Sequence, residues 1–303
     1  MSFPVASGRT QYSANFIPEI WSGKLQVKFY KTTVFSEISN NDWEGEIKGQ
    51  GDKVRIRTIP TITINSYNKG DNLTNQVPTS TPIELNIDKG KYFAVVLDDV
   101  DAVQTDVKLM DMFTNDATQQ MKIAIDSDLL DGVKAAATAT TNRGATAGAI
   151  SANINLGIEG TPRAVSKTNV LDLILDMGQV LDEQNVPETG RFVVIPAWMA
   201  ALIKNSDLKQ AYLTGDSVSP LRNGKLGMID RFTLYVSNNL PSHSGDQHVL
   251  AGTKDAISFA SQMTNVETLR AQTTFGNLVR GLNVYGYSVV KPEALVNAVV
   301  VKA

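Results

Sequence analysis

Two alternating runs separated by a long polar stretch constrain this chain more than any other feature. Val54, Ile56, Thr58, Pro60, Ile62 and Ile64 share one parity; Arg55, Arg57, Thr61, Thr63 and Asn65 share the other. Period-two alternation predicts a half-buried strand. Pro60 cannot donate to a ladder, so the strand is an edge or is broken there. Ile83, Leu85 and Ile87 alternate against Glu84, Asn86 and Asp88 in a second run. Between them, Ser66 to Pro82 is rich in Asn, Thr, Gly and Pro. Most hairpin loops span about 2–5 residues, so a connection this long is disordered or has a binding role. Two strands alone bury too little to be stable. The ribbon must lie on its own domain or on another chain.

The rest supplies enough apolar material for a core. Of 303 residues, 42% are hydrophobic and 19% are charged, with a net charge of -3. That excludes both a strongly basic nucleic-acid binder and an acidic disordered chain. With no cysteine, disulfides, thiolate metal sites and cysteine nucleophiles are excluded. The N-terminal residues show no signal-peptide pattern and no apolar run is long enough to span a bilayer, so a soluble protein is expected.

Residues 1–35 are polar with scattered aromatics, among them Trp21, Phe29 and Tyr30. They form either a segment packed on its own core or an arm laid on a neighbour. After a buried strand at 91–99 comes a helical stripe of Val103, Val107, Met110, Ala117, Met121 and Ala124, widened by Phe113, Ile125 and Leu129. Roughly thirty residues of helix would be about 45 Å long. Its Asp126, Asp128 and Asp131 are read as a solvated face, and Asp98, Asp99 and Asp101 as capping and dipole residues at its start. The alanine- and threonine-rich tract at 135–149 is read as a flexible connector or surface loop. A mixed α/β region follows. Thr168 is expected to cap a helix through Leu181, and Pro196 to open another bearing Trp198, Met199, Leu202 and Ile203. Strands are expected at Arg191–Ile195, Phe232–Val236, His248–Ala251, Ile257–Ala260, Leu278–Val290 and Ala294–Val301.

No catalytic constellation emerges. Gly224-Lys225 is followed by Leu226, so there is no Walker A loop, and no GxGxxG, GxSxG or HExxH occurs. The two histidines, His243 and His248, flank a turn and are read as a solvated loop. No cofactor and no metal is expected.

Several stretches together carry a resemblance. KYFAVVLDDVDAVQTD, RFVVIPAWMAALIKN and GKLGMIDRFTLYVSNNLP resemble, in order and spacing, segments of the major capsid proteins of tailed bacteriophages, the fold named after phage Hong Kong 97. The resemblance implies an α+β phage major capsid fold with a peripheral domain built on a long spine helix and a mixed α/β axial domain. It places an N-terminal arm at 1–35, an extended loop region at 36–90, the peripheral domain at 91–160 and 276–303, and the axial domain at 161–275. It implies a structural protein, not an enzyme. Its subunits would form hexamers and pentamers, closing into an icosahedral shell around double-stranded DNA that is held on the inner face without sequence-specific binding. A separate scaffolding protein, a portal and a cement protein would be partners, no membrane would be involved, and assembly would occur in the host cytoplasm. Candidate inter-subunit contacts are Trp21, Phe29, Arg55, Arg57, Tyr67 and Lys69. Alternatives are another phage structural part (tail or decoration), an encapsulin-like compartment shell, or an α/β enzyme. A Lys69 cross-link finds no partner in the sequence; solvent exposure is expected for it.

Overall fold

The computed structural model describes residues 28–42, 53–60, 62–99, 109–137, 141–206, 227–271 and 274–303. Trp21, Asp101 and the helix start expected at Val103 lie outside these residues.

The architecture mixes helices with three sheets. Strands β1 (Lys53–Ile56) and β2 (Ile83–Asn86) form a two-stranded antiparallel ribbon. Strand β3 (Lys89–Asp98) then pairs with the long hairpin of β10 (Ile257–Arg270) and β11 (Gly276–Val289), in the order β10-β11-β3 and antiparallel throughout. The expected strand at Ile257–Ala260 thus continues to Arg270. The third sheet runs β4 (Arg163–Val165), β12 (Leu295–Lys302), β9 (Asp246–Thr253), β5 (Arg191–Ile195), β7 (Phe232–Val236), β6 (Met228–Ile229), with β8 (Ser242–His243) added on β9. Only β12/β4 and β5/β7 are parallel in it. The two C-terminal strands therefore part: β11 joins β3, whereas β12 enters the seven-stranded sheet.

Helix α1 is a single turn, Phe35–Ile38; α2 runs Leu109–Val133, α3 Val170–Glu183 and α4 Ala197–Lys204. The 25 residues of α2 span about 37 Å. It lies on β3 and β11, and its last turns bury Ile125, Leu129, Leu130 and Val133. Tyr285 and Tyr287 fasten it: their hydroxyls donate to the Asp128 carboxylate and to the Asp128 carbonyl, at 3.0 and 2.8 Å. Lys89 Nζ lies 3.4 Å from the same carboxylate and 4.8 Å from the Tyr287 ring centroid. The three aspartates of this helix are therefore not one solvated face, since Asp126 is fully buried and Asp128 is bonded; Asp131 pairs with Lys134.

One continuous core joins the end of α2, helices α3 and α4 and the seven-stranded sheet. Helix α3 turns Val170, Leu173, Ile174, Met177 and Leu181 into it, as the three- and four-residue spacing requires. No side chain caps its first turn. Instead the Asn169 side-chain oxygen accepts the Ser166 N–H, so the cap expected of Thr168 is not formed. Pro196 stands just before α4.

The described residues of the alanine-rich tract are not a loose connector. Ala137 and Ala147 are buried, and the Asn142 amide donates to the Glu293 and Leu295 carbonyls. Small residues look featureless in composition, yet they allow backbones to approach each other closely. The histidine turn also differs from expectation. Ser244 and Gly245 both have positive φ and close a tight β8–β9 hairpin. His243 is exposed, but His248 sits on β9 and is only 2% exposed.

Candidate functional site

Three surface features are candidates for function. The first is the arm. Lys28 and Tyr30 bond to Asp116 at 2.7 and 2.9 Å, and the N–H groups of Val34 and Phe35 donate to Asp126 Oδ1 at 2.9 and 2.8 Å. Asp116 and Asp126 are ten positions apart on α2, about 15 Å, so residues 28–35 run along the helix. Asn239 completes the anchor, donating to Asp126 Oδ2 at 2.6 Å and to the Thr32 carbonyl at 3.2 Å. Burial pushes the Asp126 carboxyl up; the three N–H donors oppose that shift. Phe29 points away from this seam and is almost wholly exposed.

The second feature is the ribbon. Its ladder ends at Ile56↔Ile83, but the pairing does not. Thr58 Oγ1 donates to the Thr81 carbonyl at 2.7 Å and Ser80 Oγ to the Thr58 carbonyl at 2.5 Å. The Gln76 amide takes both the N–H and the carbonyl of Thr63, at 3.0 and 2.7 Å. At the tip, Asn68 and Asp71 bond to each other around Lys69 and Gly70. The pairs 53/86, 56/83, 58/81, 63/76 and 68/71 all keep one register. Residues 53–86 are therefore a single long hairpin in which side chains replace the ladder beyond Ile56.

At its base, Ile56, Leu85 and Ile87 bury against Ala260. Gly286, paired with Ala260, allows this crossing: a β-carbon there would fall on the Asn86 carbonyl oxygen. Further out, Ile59, Ile62, Ile64, Tyr67, Leu73 and Val77 are exposed. The half-buried strand expected as far as Ile64 is buried only near its base, because among the described residues nothing lies under its outer half. Arg55 Nε bonds Glu84 across the ladder at 2.9 Å. Arg57 and Lys69 are exposed.

The third feature is the face of the β10-β11-β3 sheet that α2 leaves bare. Tyr92 pairs with Leu282, Val96 with Leu278, and Leu278 with Leu269. Tyr92, Leu278 and Leu282, with the Arg280–Glu267 ion pair, line a shallow recess of about 470 Å³. At one end, Arg270 grips Asp99 through two hydrogen bonds of 2.7 and 2.6 Å. Asp99 is thus engaged across the sheet, and the bond holds its carboxyl below the usual range.

Among the described residues no group of three or more His, Cys, Asp or Glu side chains could hold a metal ion. No described helix is long and apolar enough to cross a membrane. Sequence reasoning missed Asp126, Asn239 and Gly286. Asp126 carried a legible signal, since Leu129, Leu130 and Val133 follow at i+3, i+4 and i+7 on the buried face. Gly286 carried none, because its role depends on a strand distant in sequence.

A segment at 28–35 anchored along α2, an exposed ribbon and a bare sheet face, with no catalytic or metal cluster among the described residues, are the features of a structural subunit. Residues 81–298 match the family model described as phage capsid protein, and the chain belongs to that family; it is a major capsid protein of the virion shell. A solved structure from Mycobacterium phage Che8 is 29% identical with a TM-score of 0.79, covering 95% of this chain and 98% of that one. The capsid structure of cyanophage P-SCSP1u is 16% identical, TM-score 0.73, covering 95% and 94%. The mature capsid of bacteriophage PhiM1 is 15% identical, TM-score 0.68, covering 93% and 91%. The last two speak to the fold alone. No curated protein sequence matches the chain.

Proposed function

We propose that the chain assembles as hexamers and pentamers into an icosahedral shell enclosing double-stranded phage DNA. The ribbon carries this reading. A 34-residue hairpin whose outer half leaves Ile62, Ile64, Leu73 and Val77 exposed needs cover that the other described residues do not give. Shared contacts in a closed assembly supply such cover. Phe29, Arg55, Arg57, Tyr67 and Lys69 are the described contacts between subunits in this reading, and Trp21 joins them from the arm. Residues 1–35 act as arm, 36–90 as extended loop region, 91–160 and 276–303 as peripheral domain, and 161–275 as axial domain, with β12 stitching the last two together. Low net charge suits an inner wall that encloses DNA without gripping it. A separate scaffolding protein, a portal and a cement protein are the further partners, and assembly takes place in the host cytoplasm. Deleting Thr63–Pro82 is the test. The expected product is a soluble subunit that forms no shells by negative-stain electron microscopy and light scattering. Normal particles from that deletion would overturn the role given to the ribbon.

A further inference from the structure

The buried His248 presents an arrangement that the assembly reading leaves unused. The Asn297 amide nitrogen donates to the Lys134 carbonyl at 2.9 Å, which turns the Asn297 oxygen toward His248 Nδ1 at 3.1 Å. An oxygen there can only accept, so Nδ1 carries the proton, and in the neutral ring Nε2 presents a lone pair. Facing it at 3.2 Å is a carboxylate oxygen of Glu159. The two are close enough for an ion pair, yet the carboxylate lies off the line of an Nε2–H bond, and Nε2 has no hydrogen-bond partner. With the ring neutral, two acceptors are thus held side by side on the wall of a cavity of about 430 Å³.

The holding is firm. Glu159 and Gly160 form a two-residue turn closed by mutual Ile158–Thr161 backbone bonds of 3.2 and 3.0 Å. Gly160 N donates to Asp246 on β9 at 3.1 Å. Gly157 has a positive φ, and a β-carbon there would strike the Val299 carbonyl oxygen. The turn is therefore pinned to the sheet that carries His248.

We propose that His248 Nε2 and Glu159 Oε1 are the two protein ligands of a divalent transition-metal ion such as zinc, with water filling its other positions. Zinc–nitrogen and zinc–oxygen bonds of about 2.0–2.2 Å put neighbouring ligands roughly 3 Å apart, with the lone pair aimed at the metal and not at the other ligand. That is the disposition found here. Asn297 supplies the outer hydrogen bond that orients a metal-bound imidazole. Imidazole with carboxylate suits zinc and its neighbours better than magnesium or calcium. Glu159 is 51% exposed, so an ion can enter through the cavity mouth. Arg143 also lines the cavity, but one of its guanidinium nitrogens is drawn off to the Ala135 carbonyl at 3.0 Å.

The probe is zinc ion added to chelator-stripped full-length protein, followed by calorimetry and by thermal unfolding. The expected result is one saturable site per chain and a Tm that rises with zinc. Glu159→Gln, at a half-exposed position that leaves the fold intact, should weaken binding roughly tenfold or more. His243→Gln, which removes the only other histidine, should leave binding unchanged. Absence of saturable binding would overturn the site, as would equal affinity in Glu159→Gln or loss of binding in His243→Gln. Stabilisation on acidification without zinc binding would show that a proton bridges the pair, and would overturn it too. Shell assembly of Glu159→Gln is read separately, so failure here leaves the capsid reading standing.

Discussion

Single residues decide how the parts of this subunit are joined. Asp126 is an acid on a helix face whose neighbours are leucine and valine, and it is held there by three N–H donors from two distant segments. Replacing it by alanine strands the Val34 and Phe35 N–H groups and removes one of the two Asn239 amide bonds, and buried donors without acceptors are costly. Asp126→Ala should lower unfolding free energy by roughly 2–5 kcal/mol in denaturant titrations and release residues 28–35 to protease. Glu183 makes a prediction in pH. Partial desolvation pushes its carboxyl up, but the N–H groups of Ile150 and Ser151 and the Gln179 amide outweigh that and hold it at about 2, below its ordinary 4.5. A depressed acid binds its proton more tightly in the unfolded chain. Its contribution is therefore complete above about pH 4.5 and is lost as pH falls through 4.5 toward 2. Thermal unfolding of Glu183→Gln should show a shallower acid limb over that window, with curves that converge at its lower end.

At the scale of elements, the ribbon shows how a hairpin persists without a ladder. Pro78 and Pro82 as well as Pro60 interrupt backbone pairing, and Thr58, Ser80 and Gln76 side chains keep the register instead. The crossing at Gly286 sets where the ribbon leaves the sheet. Gly286→Val should force the Asn86 carbonyl away, leaving a folded core but a displaced ribbon. Faster proteolysis within residues 57–82 and a loss of shells by electron microscopy are the expected outcomes. An undisturbed ribbon with normal shells would show that the sheet can move aside. The exposed Ile62 and Ile64 follow the alternation read from the sequence, sharing the parity of Val54 and Ile56, whereas the exposed Ile59 falls on the other parity. What sequence could not show is that the described residues bury this face only at the base.

The whole molecule is closed by its last strand. β12 lies between β9 and β4 and buries Leu295, Val296, Ala298, Val299 and Val300. Removing it bares the apolar sides of two strands and unpairs an interior ladder, which the remaining core cannot absorb. Deleting residues 295–303 should give insoluble chain, or soluble chain without a cooperative unfolding transition by circular dichroism. The ribbon deletion, by contrast, should remain soluble and fail only in assembly. The pair of deletions separates what holds one subunit together from what joins it to the next.

Local pattern alone determined much of this protein. Period-two and period-3.6 spacing located the base of the ribbon, the described part of α2 and α3, because burial on one face imposes those periods directly; β5, β7, β9 and β12 showed as short apolar runs, whereas β4, β6 and β8 did not show. The order of motifs pointed to the capsid family. Contacts between residues far apart in sequence leave no such period. Asp126 meets Asn239, Gly286 meets Asn86 and His248 meets Glu159 only after folding, and each was read differently or passed over until then. Polar residues gain their roles from partners, and only tertiary structure decides which partners they have.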